Sequence, residues 1–185
     1  MLVVGTGYVG RRYLERQQAG AAIGLSRSPL DSQQPGYLLD LDVDPALPLP
    51  LPDSYGVLYT APPSQKHESD VRLERLLNML NPAPSRFVYI STTGVYGNCG
   101  GALVDETRPV DPQSGRARLR VAAEQALASW CGVHGVDLVI LRVPGIYGPG
   151  RLGVERIRAG AADIRESEAN PGNRIHVDDL ASCCI

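Results

Sequence analysis

Short apolar runs alternate with stretches of helical periodicity along most of the chain. Leu2–Val4, Ala21–Leu25, Tyr37–Leu39, Val57–Thr60, Phe87–Ser91 and Asp137–Arg142 read as strands. Tyr8–Gln18, Gln65–Leu80 and Arg116–Cys131 read as helices. In the last of these, Leu119, Ala122, Ala123, Ala126, Leu127 and Trp130 form one apolar face at helical spacing. Strands that alternate with helices imply right-handed crossovers, hence an α/β fold with a doubly wound parallel sheet and helices on both faces. The stretch Asp44–Asp53 breaks this rhythm, because its four prolines forbid helix and disfavour a central strand. It is expected to be an extended, rigid connector in place of one crossover helix, rather than a proline-rich partner ligand.

Composition narrows the function classes. A length of 185 residues suits about one domain, and 43% hydrophobic with 21% charged residues is ordinary for a globular chain. A net charge of −2 provides no basic field for nucleic acid or an anionic membrane. No apolar run approaches the roughly 20 residues of a membrane helix. Without a charged-then-apolar leader, and with Cys99, Cys131, Cys183 and Cys184 forming no CxxC pair, the expectation is a reduced, cytoplasmic chain. His67, His134 and His176 lack metal-ligand spacing, so no metal site is expected. No GxSxG elbow is present. Of 18 basic residues only Lys66 is lysine, which excludes a catalytic lysine anywhere else.

Three motifs carry candidate chemistry. Gly5-Thr6-Gly7-Tyr8-Val9-Gly10 joins the first strand to a helix. Gly5 suits the tight turn, Gly7 lets backbone approach a pyrophosphate, and Gly10 lets helix and strand pack closely. The phosphates would meet the free N–H groups at the helix start. After the second strand come Ser26, Arg27 and Ser28, where an NAD binder usually carries Asp or Glu for the ribose hydroxyls. Arg27 offers a fork of donors to a 2′-phosphate, so NADP is expected ahead of NAD. Chain order places Asp40 and Leu41 near the adenine, and Ala61 and Pro62 along the middle of the dinucleotide. The third motif, Tyr89-Ile-Ser-Thr92-Thr-Gly-Val-Tyr96-Gly97, runs off the fifth strand, where open α/β sheets bind ligands. By residue type alone it reads as a polar turn.

The ordered landmarks GTGYVG, ISTTGVYG, VDETRPVDP, RLRVAAEQAL, LRVPGIYGPGR and RIHVDDLA resemble the extended or atypical short-chain dehydrogenase/reductase superfamily, which includes NAD-dependent epimerases and dehydratases. The resemblance covers nearly the whole chain. It implies a Rossmann-type NAD(P)-binding domain over residues 1–185, with a C-terminal substrate lobe starting near 150 and apparently truncated. It implies an NAD(P)-dependent oxidoreductase or epimerase/dehydratase acting on a nucleotide sugar or a similar hydroxyl or carbonyl substrate. A homodimer is the implied partner arrangement, because helices in this family often pair across a dimer.

Carried over by position, Thr92 matches the residue that bonds the substrate oxygen. The Tyr-x-x-x-Lys positions hold Arg116 and Arg120. Arginine cannot exchange the proton, because its pKa exceeds about 12, although Arg120 could hold a ribose hydroxyl or phosphate as a fixed cation. Tyr96, or a water, would then relay the proton. Val143-Pro144-Gly145-Ile146 matches the loop beside the nicotinamide, and His176 leads into Asp178-Asp179, expected to cap the following helix. Loss of the Tyr/Lys pair also leaves open an alternative, a sensor or scaffold that binds NADP without turnover.

Overall fold

In the computed structural model, described over residues 1–30, 34–43, 49–64, 69–154, 158–160 and 172–185, β1 (Leu2–Val4) lies at the middle of the sheet. All three of its residues are buried, as expected of a strand covered on both faces. It pairs in parallel with β2 (Ile23–Ser26) on one side and β4 (Gly56–Tyr59) on the other. β3 (Gly36–Leu38), β5 (Arg86–Thr92) and β6 (Asp137–Val143) complete six parallel strands in the order β3-β2-β1-β4-β5-β6. The order reverses at β1, so the gap between β1 and β4 is the topological switch point.

Alternation along each strand divides the core in two. Val4, Val57, Tyr59, Phe87 and Tyr89 face α2 (Val71–Met79) and α3 (Gly115–His134). Val3, Leu58, Val88 and Ile90 face α1 (Tyr8–Leu14) and α4 (Val177–Cys183). The expected doubly wound architecture is therefore present. Side-chain oxygens start two of the helices. Asp70 accepts from Leu73 N at 3.3 Å at α2, and Ser114 from Ala117 N at 3.2 Å at α3. Gly135, at φ 67°, closes α3 in the left-handed region.

Several expected boundaries move. α1 stops at Leu14 rather than Gln18, because Arg16 N and Gln17 N bond back three residues, to Tyr13 O and Leu14 O, and tighten the chain out of the helix. Ala21 lies in a turn, its N–H bonded to Gln18 O, so β2 begins two residues late. The described part of the second helix starts at Val71 behind the Asp70 cap, while Gln65, Lys66 and His67 lie outside the described residues. Residues 44–48 of the proline-rich connector also lie outside them. The remainder, 49–53, is irregular, with Leu49 buried in the core and Pro50 O accepting from the Tyr37 hydroxyl at 2.7 Å.

The apolar face expected on α3 is corrected as well. Leu119, Ala123 and Leu127 are buried, but Ala126 is exposed, and Arg120 and Glu124 turn inward instead. The sheet beneath them provides polar partners that helical periodicity cannot reveal. Beyond β6, β7 (Gly145–Tyr147) pairs in parallel with β8 (Arg174–His176). His176 itself caps α4, its Nδ1 accepting from Asp178 N at 3.3 Å, so the Asp-Asp pair lies inside the first turn. Asp178 instead ties α4 to α1. Arg12 grips both its oxygens and Arg16 donates to its carbonyl at 3.1 Å. The Arg12 hydrogen bond is the foremost cause holding the Asp178 carboxyl below the usual carboxylate range. No helix among the described residues is long and apolar enough to cross a membrane.

Candidate functional site

The carboxyl ends of the strands form two unlike regions. Over β2, β1 and β4 lies an open cleft of about 360 Å³. Its wall is built from the glycine turn. Gly5 sits at φ +89°, where a side chain would be strained, and its N–H bonds Leu25 O at 3.0 Å. A Cβ on Gly5 would come within 2.7 Å of Ala61 N, and one on Gly10 within 2.1 Å of Gly5 O. Thr60 pins the turn from β4, its hydroxyl donating to Gly5 O and, at 3.3 Å, to Val4 O. Gly7 differs from both, because a Cβ there would meet nothing within 4 Å. Two glycines are thus required by the protein's own packing, while the third leaves exposed backbone facing open space at the mouth of α1.

Most of the expected cofactor residues meet in this cleft. Gly5, Thr6, Gly7, Ser26, Arg27, Ser28, Asp40, Leu41, Ala61 and Pro62 all line it. Ser26 Oγ accepts from Ser28 N at 3.2 Å, which curls the chain after β2 and leaves Arg27 67% exposed. Asp40 organises the turn after β3, accepting from Asp42 N at 2.9 Å. Arg11 and Arg72 also line the cleft and were not singled out by the sequence. Arg72 forks onto Asp42, and that hydrogen bond is the main cause raising its pKa further above the arginine value.

Five expected residues lie elsewhere. The Tyr8 hydroxyl donates to Pro149 O at 3.0 Å with Arg151 over its ring, so its side chain joins α1 to the segment after β7. Val9 is buried in the core and Gly10 packs under the turn. Pro144 and Gly145 do not line this cleft. Gly145 opens β7, its N–H bonded to Asn173 O, with Arg174 packed where a side chain would stand.

The second region lies over β5 and β6, where the polar groups are closed on one another. Ser91 Oγ donates to Glu124 Oε1 at 2.5 Å. Arg142 Nη2 donates to Glu124 Oε2 at 2.8 Å, and Arg142 Nη1 to the Tyr96 hydroxyl at 3.0 Å. The guanidinium also lies 5.0 Å from the Tyr96 ring centroid. Burial works against the Arg142 charge, but the Glu124 hydrogen bond outweighs it and raises the arginine's pKa. This chain of contacts ties β5, α3, β6 and the single 3₁₀ turn Thr93–Tyr96 together. Thr92 stands at its head, half-buried, with its hydroxyl accepting from Gly94 N at 3.1 Å.

The two arginines at the Tyr and Lys positions separate. Arg116 is exposed on the first turn of α3. Arg120 is not a cation presented to the cleft. It is 6% exposed, and its Nη1 donates to the Tyr89 hydroxyl at 3.0 Å and to Ile90 O at 2.8 Å. Among the described residues, Tyr59 Oη and Asp70 Oδ2 are buried with no hydrogen-bond partner. Burial raises the pKa of Tyr59, Tyr89 and Asp70, with the Arg120 charge opposing it in each.

Sequence reading missed Arg11, Asp42, Thr60, Arg72, Glu124 and Arg142, and gave Ser91 no role beyond its place in the third motif. Their residue types are ordinary surface types, and only their partners distinguish them. The Arg142 and Glu124 positions do fall inside the LRVPGIYGPGR and RLRVAAEQAL landmarks.

Comparison with known proteins agrees with this fold. Over 64 residues the chain is 39% identical to a dTDP-glucose 4,6-dehydratase of Streptomyces niveus, a match covering 35% of this chain and 19% of that protein. The fold matches a conserved protein of unknown function from Silicibacter pomeroyi DSS with a TM-score of 0.77 at 32% identity, covering 98% of this chain and 64% of the other. It also matches a dTDP-glucose 4,6-dehydratase of Streptomyces venezuelae, solved with NAD bound, at TM-score 0.80 and 19% identity over 98% of this chain and 69% of that one. The chain therefore spans about two thirds of these solved structures. The model of the NAD dependent epimerase/dehydratase family matches residues 62–185. With that match over more than half its length, the chain belongs to the NAD dependent epimerase/dehydratase family.

Proposed function

We propose that residues 1–185 are the cofactor-binding domain of an NAD(P)-dependent oxidoreductase or epimerase/dehydratase-like enzyme, with a substrate lobe beginning near residue 150. The substrate is a nucleotide sugar or a similar molecule with reacting hydroxyl and carbonyl groups. One observation carries this reading. The glycine turn is packed tight at Gly5 and Gly10 yet open at Gly7, and it faces a cleft that ends at Arg27.

That arrangement suits a dinucleotide. Backbone at Gly5–Gly7 and the Arg11 side chain would take the pyrophosphate, and Asp40 and Leu41 the adenine side. Ser26, Arg27 and Ser28 would take a 2′-phosphate, which favours NADP over NAD. Bound there, the dinucleotide supplies hydride transfer. The protein's part is to orient and to move a proton. Thr92, at the end of β5, would hold the substrate oxygen. Tyr96 accepts a hydrogen bond from Arg142, which leaves its own O–H proton as the one to give. Arg116 and Arg120 take no proton-transfer role, because arginine stays protonated.

The test is direct binding. Titration of the chain with NADPH and NADH, by calorimetry or by fluorescence, is expected to show NADPH binding more tightly. Arg27→Asp is expected to weaken NADPH by roughly tenfold or more and NADH far less, because a charge-assisted contact becomes a repulsion. Equal losses would remove the NADP preference. Binding of neither dinucleotide would remove the cofactor reading itself.

A further inference from the structure

At the adenosine end of the cleft, one carboxylate stands between two guanidinium groups. Arg72 Nε and Nη2 donate to the two oxygens of Asp42, both at 2.6 Å, and Nη1 donates to Pro62 O at 2.8 Å. Arg27 Nη1 faces the same Asp42 Oδ2 at 3.7 Å. The Arg72 side chain is 18% exposed, against 67% for Arg27. The first pair is a sheltered, bidentate fork, which is a strong and directional contact. The second is a long contact from an exposed side chain, which is weak.

We propose that Arg72 and Asp42 determine dinucleotide specificity: Arg72 holds the Asp42 carboxylate in a fork and so leaves Arg27 available to a 2′-phosphate. The proposal rests on the cofactor reading above and deepens it. Arg72 commits three of its five N–H donors, one from each nitrogen, to Asp42 and Pro62, which fixes its guanidinium in place and makes its part positional. Asp42 is the opposing element. It attracts Arg27 and repels a dianionic phosphate, whereas a neutral ribose hydroxyl at that place feels little of either. With Arg72 present the three side chains sum to one positive charge. Without it the sum is zero, and Asp42 competes directly for Arg27. The effect therefore falls on the ratio of NADPH to NADH affinity, not on dinucleotide binding in general.

Calorimetric titration of the parent chain, Arg72→Gln, Asp42→Asn and the double variant with both dinucleotides tests this. Arg72→Gln is expected to weaken NADPH roughly five- to tenfold, with NADH changed by less than about twofold. Asp42→Asn is expected to strengthen NADPH about threefold and, in the double variant, to restore most of the loss. Asp42→Asn alone keeps the question answerable if Arg72→Gln fails to fold, because it must raise the NADPH preference. Equal weakening of both dinucleotides in Arg72→Gln, or no rescue by Asp42→Asn, would overturn the specificity role and leave the cofactor site standing. Failure of the parent chain to bind either dinucleotide would overturn both.

Discussion

The two ends of the sheet's carboxyl edge solve opposite problems. Over β1, β2 and β4 the polar groups face a cleft, and a side chain at Gly7 would meet no protein atom within 4 Å. Over β5 and β6, Ser91, Glu124, Arg142 and Tyr96 satisfy one another, and Arg120 is bonded to the core below. On the function proposed above, the first region is a receptor whose energy is released when the dinucleotide binds. The second is a brace whose energy is already released on folding. A buried charge is tolerated only when paired and hydrogen-bonded, and the brace meets that condition for both Glu124 and Arg142. Polar residues near a sheet edge are thus not equivalent evidence of a binding site. Their partners decide which are committed to the fold and which remain for a ligand.

Breaking the brace should have the largest effect. Glu124→Leu leaves the Arg142 charge without its carboxylate and Ser91 without its acceptor. A loss of about 3 kcal/mol is expected, seen as a fall in the midpoint of chemical or thermal unfolding. Its effect on NADPH affinity in the fraction that stays folded should be small. An affinity loss as large as the stability loss would mean that the two regions are one unit.

Breaking the receptor comes next. Gly10→Ala drives a methyl group to within 2.1 Å of Gly5 O, so backbone must shift. Dinucleotide affinity should fall by more than tenfold, with stability lowered by about 2 kcal/mol. Gly7→Ala is the control. It has open space around it, so its stability should be close to the parent's while its binding is weakened. A Gly7→Ala chain that binds NADPH normally would show that the ligand does not approach that backbone.

A smaller stability effect than that of Glu124→Leu or Gly10→Ala, and the sharpest for mechanism, belongs to Tyr96→Phe. It removes one hydrogen bond from a charged donor, worth about 1.5 kcal/mol. If Tyr96 gives the proton, turnover of a hydroxyl or carbonyl substrate falls far more than that stability loss explains, with dinucleotide binding retained. Turnover that persists would place Tyr96 wholly within the brace.

Much of the architecture was legible because it depends on local patterns. Each predicted strand occurs within a residue or two of its observed place, since an apolar run of that length has few alternatives in a two-faced sheet. The end of α1 was less legible, because Arg16 and Gln17 are good helix formers and the chain turns there for tertiary reasons. The short β7–β8 pair was not read at all, since its two strands lie far apart in sequence and each has only three residues. The open cleft was legible for the same reason as the strands. A glycine turn and the residues following β2 and β4 lie at fixed places in the topology. The brace was not, because α3 looked apolar at Ala122 and Ala126, while Arg120 and Glu124 turned out to be inward alongside Leu119, Ala123 and Leu127.

The apolar rhythm, the glycine spacing and Arg27 were sufficient to specify a doubly wound sheet and to point to the edge where a dinucleotide would lie. These are properties of single segments, set by local backbone geometry and by which side chains avoid water. Whether a given charge is a ligand group, a brace or a surface residue depends on what faces it across the fold. Arg27 remains exposed, Arg116 projects from the first turn of α3, and Arg120 is buried against Tyr89, though all three are the same residue type. Electrostatic and hydrogen-bond energies fall steeply with distance, so their values were assigned only when the strands and helices came together.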